Sequence, residues 1–202
     1  MRILVLATRN PGKVRELTTL LAGIPFEIRT LADFPTFEMP EETGETYEAN
    51  ALIKARATAA HTGFLSLGDD SGIEVDALSG APGVLSARFG GAGLDDRGRV
   101  ELLLQRIAHV PDGQRGAHFR CVIAIVAPDG RETTVEGTCH GEIAREPRGA
   151  QGFGYDPVFF YRPFGTTFGE VGDDVKAKVS HRGLAAAAAK AALAHGGVPP
   201  AI

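Results

Sequence analysis

Two adjacent aspartates, Asp69 and Asp70, are the clearest candidates for chemistry in this sequence of 202 residues. They follow the apolar run at 64–68 and precede Ser71 and Gly72, so we expect them at a junction between a strand and a turn. Ligands of α/β proteins commonly bind at such junctions. Two close carboxylates are tolerated if the turn is fully solvated, if one is protonated, or if a cation lies between them. The residues alone leave these possibilities open.

A second candidate is the segment "TRNPGK", which leaves a predicted strand and enters a predicted helix. Backbone N–H groups at a helix start, with a hydroxyl, an amide and an ammonium group beside them, would suit a phosphate. The segment is not a Walker A loop, and an ordinary helix cap explains the same residues. Its members are Thr8, Arg9, Asn10, Pro11, Gly12 and Lys13.

An acidic segment, "EETGETYEANALIKA", begins with Glu41 and Glu42 ahead of a predicted helix. The helix dipole favours carboxylates there, so a solvated acidic turn is one interpretation. The other makes a glutamate a ligand of a hard metal ion, provided that Asp69 and Asp70 converge with it. The segment therefore predicts either a solvated acidic turn at the helix start or one ligand of a metal site that Asp69 and Asp70 would complete.

Two further stretches could recognise a planar, polar ligand. In "QGFGYDP", residues 151–157, glycines flank Phe153, which would either pack in a loop or form a platform for a stacked base. In "KAKVSHRG", residues 176–183, cations gather just before the last predicted helix. A basic helix start is unfavourable for the helix dipole, so this cluster is either a solvated charge run or a site for an anion or polar ligand.

Strands and helices alternate along the chain, which predicts an α/β protein. Helical spacing of apolar residues, glycine stops and the turn signal "PDG" define the elements. Glycine and proline cluster in 79–93 and 147–165, which we interpret as loops around a site. The predicted elements are strands at 2–8 and 64–70, helices at 13–23, 46–63, 95–108 and 184–196, and a hairpin over 117–143.

Composition narrows the class of protein. The chain is 44% hydrophobic and 23% charged, enough for a sizeable core, and we expect one domain over residues 1–202. A net charge of −4 gives no general basic surface, so we expect no nucleic-acid partner. Cys121 and Cys139 are too few for a disulfide framework and predict reduced, buried thiols in a cytoplasmic protein. The sequence has no apolar run long enough for a membrane span, so we expect no membrane partner.

Taken together and in order, these segments closely resemble the inosine triphosphate pyrophosphatase family, which acts on the non-canonical purine nucleotides dITP, ITP and XTP. The resemblance covers nearly the whole chain, and the pair "DDSG" and "GFGYDP" is its most specific part. The matching stretches are "TRNPGKVRE", "EETGETYEANALIKA", "DDSGIEVDALSGAPGVLSARFGG", "GFGYDPVFF" and "KVSHRG".

The resemblance implies a single α/β domain with a long mixed β-sheet in two lobes, an active-site cleft between the lobes, and a homodimer. It implies hydrolysis of a nucleoside triphosphate to the monophosphate and pyrophosphate with Mg²⁺ as cofactor. Glu41 and Asp70 would bind the metal, and Asp70 would accept the proton of the attacking water. Residues 8–13 and Ser71 would hold the triphosphate. The nucleoside and base would be bound by Phe153, Gly154, Tyr155, Asp156, Lys176, His181 and Arg182.

Physical chemistry complicates one implied role. A carboxylate that coordinates Mg²⁺ loses basicity, so Asp70 cannot be fully a ligand and fully a base at once. Either Asp69 or Asp70 would take the proton, while Lys13 would stabilise charge on the phosphate oxygens.

Three alternatives remain at this stage. A related pyrophosphatase of modified pyrimidine or methylated nucleotides would need a differently shaped base pocket. A non-catalytic nucleotide-binding module would not need paired acids, and a generic metal phosphohydrolase would release orthophosphate.

Overall fold

A computed structural model describes residues 2–194, which form a seven-stranded mixed sheet and five α-helices. The strand order is β2-β1-β3-β4-β5-β6-β7; β1 is parallel to β2 and β3, while β6 is antiparallel to β5 and β7. The strands are β1 Arg2–Leu6, β2 Phe26–Thr30, β3 Leu65–Val75, β4 Gly116–Val126, β5 Glu132–Ile143, β6 Phe159–Tyr161 and β7 Thr166–Thr167. The helices are α1 Pro11–Leu20, α2 Tyr47–Thr62, α3 Asp96–Arg106, α4 Asp173–Lys176 and α5 His181–Ala194.

The described chain divides into two compact units. The first unit comprises residues 2–70, 121–137 and 182–194; the second comprises 71–120 and 138–181. The strands β3, β4 and β5 each contribute residues to both units.

The first unit has its own hydrophobic core, in which apolar residues of β1, β3 and β4 pack with α1 and α5. Local sequence sets its helix ends. Asn10 caps α1, with Pro11 as the first helical residue, and Thr46 caps α2 by accepting a hydrogen bond from the Ala49 N–H at 3.1 Å. Gly63 ends α2 in the left-handed conformation that glycine adopts readily.

The second unit has a separate core, formed by aliphatic residues of α3 and aromatic residues of β4 and β6. Asp95 caps α3 by accepting a hydrogen bond from the Gly98 N–H at 2.8 Å. Phe119 packs against Phe159 and Phe168, with ring centroids 4.5 and 6.4 Å away.

Most predicted elements are confirmed, with local differences. The helix predicted from residue 13 begins at Pro11, because proline at the first helical position loses no intrahelical hydrogen bond. The short elements β2, β7 and α4 were not predicted, and β6 lies within the predicted loop 147–165. The last helix begins at His181 instead of 184, and positions 195–196 of the predicted helix lie outside the described residues.

Within residues 2–194, no helix combines the length and apolar character that crossing a bilayer requires.

Candidate active site

Asp69 and Asp70 lie in the middle of β3, so the predicted strand-to-turn junction is wrong. The strand continues through Ser71 and Gly72 to Val75, because Ile73 and Val75 are core residues whose burial keeps the chain extended. Successive side chains of a strand point to opposite faces, so the two carboxylates are directed apart. Different helices of the first unit contact them.

Asp69 is fully surrounded by donors of the first unit. Arg182 of α5 donates from Nε to Oδ2 at 3.0 Å, and the Cys121 thiol of β4 donates to the same oxygen at 2.9 Å. The Lys13 ammonium of α1 forms an ion pair with the Asp69 carboxylate and donates to the Asp69 carbonyl oxygen at 3.3 Å. Arg182 also donates from Nη1 to Glu16 Oε2 at 2.6 Å. The result is a continuous network, Glu16–Arg182–Asp69–Lys13, in which Asp69 and Arg182 are buried and the two outer residues are half-buried.

This network makes Asp69 a poor base. Burial alone would raise the pKa of its carboxyl, but the charges of Arg182 and Lys13 outweigh burial and hold the pKa well below its usual range. Burial, together with the charge of the same carboxylate, raises the pKa of the Cys121 thiol well above its ordinary value. At neutral pH Asp69 is an anion and Cys121 is a neutral thiol.

Asp70 has different partners, all from α2. Lys54 donates from Nζ to Oδ1 at 3.1 Å, and Asn50 donates from Nδ2 to Oδ2 at 3.3 Å. Lys54 and Asn50 are one helical turn apart and therefore lie on the same helix face. Gly68 lets this face approach β3, because a Cβ at position 68 would lie 2.3 Å from the Ala51 carbonyl oxygen.

The pKa of Asp70 is raised, in contrast to that of Asp69. Burial is the main cause, and the nearby charge of Glu42 adds to it, while Lys54 and Lys13 oppose the shift without cancelling it. Burial would lower the pKa of the Lys54 ammonium, but Asp70 and Glu42 outweigh it and raise that pKa. Asp70 is thus the more basic member of the acid pair.

Glu41 and Glu42 precede α2, and from the segment alone either could have been the metal ligand. Among the described contacts, only the Glu42 side chain joins Asp70 and Lys54, through its ion pair with Lys54. Its Oε1 lies 2.6 Å from Lys54 Nζ, whereas the Glu41 side chain, the predicted metal ligand, is exposed to solvent. Sequence reasoning assigned no role to Asn50 and Lys54. Their spacing of four residues, behind an acidic turn, was the available signal.

The segment 8–13 forms the helix cap that the sequence left open as an alternative. Asn10 Oδ1 accepts from the N–H groups of Gly12 and Lys13 at 2.9 and 3.2 Å, and Thr8 Oγ1 accepts from the Asn10 N–H at 3.2 Å. Three backbone donors predicted to face a phosphate are therefore already engaged within the segment. Pro11 is the first helical residue, and Arg9 is exposed and donates to the Phe37 carbonyl oxygen.

The basic stretch before α5 meets carboxylates of the protein itself. Lys176 donates from Nζ to Asp156 Oδ2 at 2.6 Å within the second unit, and both side chains are buried. Arg182 is engaged by Asp69 and Glu16 in the first unit. The interpretation as a solvated charge run is wrong for Lys176 and Arg182, which are buried, whereas Lys178 is exposed. The counter-charges of the two buried cations lie far away in sequence.

The predicted base-binding loop is tied down within the second unit. Asp156 Oδ2 also accepts from the Phe153 N–H at 2.9 Å, and the Lys176 ammonium lies 5.1 Å from the centre of the half-buried Phe153 ring. The Gly154 N–H donates to Asp96 Oδ2 at 3.0 Å. Tyr155 is buried and donates from its hydroxyl to the Ser86 carbonyl oxygen at 2.9 Å; burial raises its pKa.

His181 and Ser71 complete the predicted set in the second unit. The buried His181 ring stacks on Phe119, with centroids 4.6 Å apart and planes inclined by 15°. Ser71 is half-buried in β3, directly after Asp70 in the chain. The structure thus brings Lys13, Asp69 and Arg182 together, and groups Asp156 with Phe153 and Lys176.

Comparison with known proteins identifies the family. The Ham1 family model matches residues 4–192. A dITP/XTP pyrophosphatase of Desulforamulus reducens is 50% identical over 182 residues, which are 90% of each chain, and one of Geobacter sulfurreducens is 48% identical, covering 98% of this chain and 100% of its own. The structure of a HAM1 protein from Coxiella burnetii superposes with a TM-score of 0.88 at 38% identity, covering 96% of this chain and 100% of that one. The chain therefore belongs to the Ham1 family.

Proposed function

We propose that this protein hydrolyses the non-canonical purine nucleoside triphosphates dITP, XTP and ITP to the nucleoside monophosphate and pyrophosphate, and so removes them from the nucleotide pool. Relatives that cover most of the chain and carry the name dITP/XTP pyrophosphatase support the substrate class. The observation that carries the chemistry is the Asp70 carboxyl, whose pKa is raised beside a buried lysine. A group so placed suits general base catalysis.

The residues around Asp70 fit a divalent metal. The carboxylates of Asp70 and Glu42 both contact the Lys54 ammonium, at 3.1 and 2.6 Å, so two oxygen donors converge on one cation. Both groups offer hard oxygen donors, which Mg²⁺ prefers. We therefore assign the ligands as Asp70 with Glu42, in place of Glu41. When bound, Mg²⁺ would neutralise charge on the triphosphate and acidify a water molecule.

The protein's own residues divide the remaining work. Asp70 accepts the proton of the attacking water; metal coordination would reduce its basicity, but its pKa is raised, whereas Arg182 and Lys13 hold the pKa of Asp69 low and make it the weaker base. Water adds to phosphorus as the anhydride bond between the α- and β-phosphates breaks, and pyrophosphate leaves with the bridging oxygen. Lys13 stabilises charge on the phosphate oxygens. Residues 8–13 and Ser71 are assigned to triphosphate binding, for which the N–H groups of Asn10, Gly12 and Lys13 would have to exchange their bonds within the helix cap.

Base recognition is assigned to residues of the second unit: Phe153, Gly154, Tyr155, Asp156, Lys176 and His181. Hypoxanthine and xanthine carry a keto oxygen at C6, which accepts hydrogen bonds, whereas adenine carries an amino donor there. A site that presents donors to C6 leaves one unpaired with adenine, and such sites can discriminate by about 10⁴-fold. The ion pairs of Arg182 with Asp69 and Glu16 support a structural role for Arg182 in place of the predicted base contact.

A cytoplasmic homodimer completes the proposal. Cys121 and Cys139 are both buried and form no disulfide, as expected of a protein in a reducing compartment. Light scattering of the purified protein tests the dimer.

The deciding experiment measures pyrophosphate and orthophosphate release from ITP, XTP, dITP, ATP and GTP, with Mg²⁺ and with excess EDTA. We expect pyrophosphate, a strict metal requirement, and kcat/KM values for ITP and XTP far above those for ATP and GTP. Orthophosphate as the product would indicate a generic phosphohydrolase. Values for ITP and ATP within a few-fold of each other would contradict the substrate assignment.

A further inference from the structure

We propose that Asn50 is a positioning residue of the active site: its amide clamps the acidic segment 41–45 to Asp70 and so fixes where the two cation ligands lie. Asn50 is fully buried in the first turn of α2. Asparagine is a poor helix former, and a buried amide costs free energy unless its polar atoms are hydrogen-bonded. A residue of this type at this position therefore needs a reason.

The hydrogen bonds of the Asn50 side chain supply that reason. Its Oδ1 accepts from the Gly44 N–H at 2.8 Å, and its Nδ2 donates to the Gly44 carbonyl oxygen at 3.2 Å and to Asp70 Oδ2 at 3.3 Å. Both amide protons and the amide oxygen are engaged, and the two oxygens facing Nδ2 fix the orientation of the amide. One side chain thus joins three chain segments: the acidic segment, α2 and β3.

Gly44 independently shows how closely the acidic segment is held. A Cβ at position 44 would lie 2.7 Å from Asn50 Oδ1 and 2.7 Å from the Ala49 Cβ, distances that real contacts do not reach. A larger residue at position 44 would therefore force the segment, Asn50 or α2 to shift. A loosely attached, solvated turn would not impose this restriction.

The clamp acts on both proposed ligands. Asn50 holds the backbone at Gly44, two residues after Glu42, while Lys54 holds the Glu42 carboxylate at 2.6 Å. Asn50 and Lys54 also bond different oxygens of Asp70, Oδ2 and Oδ1 respectively. Groups that orient metal ligands in this way typically contribute 10- to 100-fold to metal affinity or activity.

The first test replaces Asn50 by alanine and by aspartate and follows two readouts. Hydrogen exchange of the amides at 41–46, which requires no metal or substrate, should accelerate at least tenfold, while exchange along α2 beyond its first turn stays unchanged. The Mg²⁺ concentration for half-maximal pyrophosphate release from ITP should rise about 10- to 100-fold. Asn50→Asp should match or exceed Asn50→Ala, because it places a second carboxylate against Asp70 and the Gly44 carbonyl oxygen.

Thr58→Val is the matched control, since Thr58 is fully buried on the same helix and the change replaces a hydroxyl that contacts Met39 Sδ at 4.0 Å, outside the clamp. It should leave both readouts at the wild-type values. If Asn50→Ala does not fold, Gly44→Ala tests the same clamp from the other side and should produce both effects. The double variant Gly44→Ala/Asn50→Asp should show effects little larger than those of Asn50→Asp alone, because both changes break the same contact between Asn50 and Gly44.

The catalytic consequence rests on the proposed function, but the clamp itself does not. A wild-type protein that releases no pyrophosphate would end the proposed function, while accelerated exchange at 41–46 would still support the clamp. Wild-type exchange and an unchanged Mg²⁺ requirement in both Asn50 variants would overturn the inference, even if their turnover fell.

Discussion

Asp69 and Asp70 are neighbours in one strand, yet α1 and α5 surround the first and α2 surrounds the second. Asp69 meets two cations and a thiol and is fully buried; Asp70 shares one lysine with Glu42 and receives one amide hydrogen bond. Burial acts on both carboxyls in the same direction. The pKa falls at Asp69, where Arg182, Lys13 and the Cys121 thiol outweigh burial, and rises at Asp70, where burial and the negative charge of Glu42 outweigh Lys54 and Lys13.

The comparison shows that charge balance separates a structural carboxylate from a reactive one. Asp69 neutralises Arg182, which would otherwise be a buried charge without enough compensation. The Asp70 carboxylate is incompletely compensated and gains from binding a proton or a metal ion. Variants of the two positions should therefore fail in different ways.

The largest effect is expected for Asp70→Asn. Removing the proton acceptor should lower kcat by about 10²- to 10⁴-fold, while the circular dichroism spectrum stays that of the wild type. Steady-state release of pyrophosphate from ITP measures this. Wild-type turnover in Asp70→Asn would remove the distinction between the two carboxylates.

Asp69→Asn should primarily affect stability. Loss of the buried partner of Arg182 is expected to cost about 3–5 kcal/mol in the free energy of unfolding, measured by urea denaturation. Asp129→Asn is the control, because Asp129 also pairs with an arginine but is exposed, and its replacement should change little. Equal midpoints for the two variants would show that burial of the ion pair is unimportant.

A smaller effect is expected for the thiol on Asp69. Cys121→Ala removes a hydrogen bond to a carboxylate and should destabilise the protein by about 1 kcal/mol more than Cys139→Ala. Cys139 is also buried, and burial alone raises its pKa to about 12. Urea denaturation of both variants gives the difference, and equal losses would assign no role to the Cys121–Asp69 bond.

The smallest effects are opposite pH dependences. The lowered pKa of Asp69 gives stability that is present above its unfolded value, about 3.9, and is lost as pH falls below it. The raised pKa of Asp70 gives a contribution that is present at low pH and lost as pH rises through the folded pKa.

As the pH rises from about 4 to 7, the wild type should therefore lose this contribution, and the free energy of unfolding of Asp70→Asn should increase relative to that of the wild type. Asp69→Asn should recover relative to the wild type only as the pH falls below 4. Urea denaturation of the wild type and the two variants at several pH values between about 3 and 7 measures these differences. Parallel curves of unfolding free energy against pH would contradict both assigned pKa shifts.

Local signals were sufficient for four of the five described α-helices and for the hairpin, but not for the short α4. Thr46, Asp95 and Gly63 mark helix ends through their own side chains or backbone, and "PDG" joins β4 to β5 as predicted. The sequence prediction ended β3 at residue 70 because Ser71 and Gly72 are typical of turns. In the structure the strand continues to Val75, because the burial of Ile73 and Val75 keeps the chain extended.

The site depended on non-local contacts that no spacing in the sequence reveals. Asp69 and Arg182 are 113 residues apart, so the cluster before α5 could be recognised as basic but not as neutralised. Lys54 and Asn50 were visible only as polar residues on a predicted helix. Their role follows from the packing of α2 on β3.

Gly68 determines how closely α2 approaches Asp70 in β3. With no side chain at position 68, α2 rests on the backbone of β3, and backbone atoms compress less than side chains that can change rotamer. The distance between Asp70 and its donors on α2 is thus fixed by direct backbone contact. Substitutions elsewhere in the core of the first unit can therefore lower the free energy of unfolding without changing that distance. Mutational robustness of the chemistry would then depend on a position that takes no part in it.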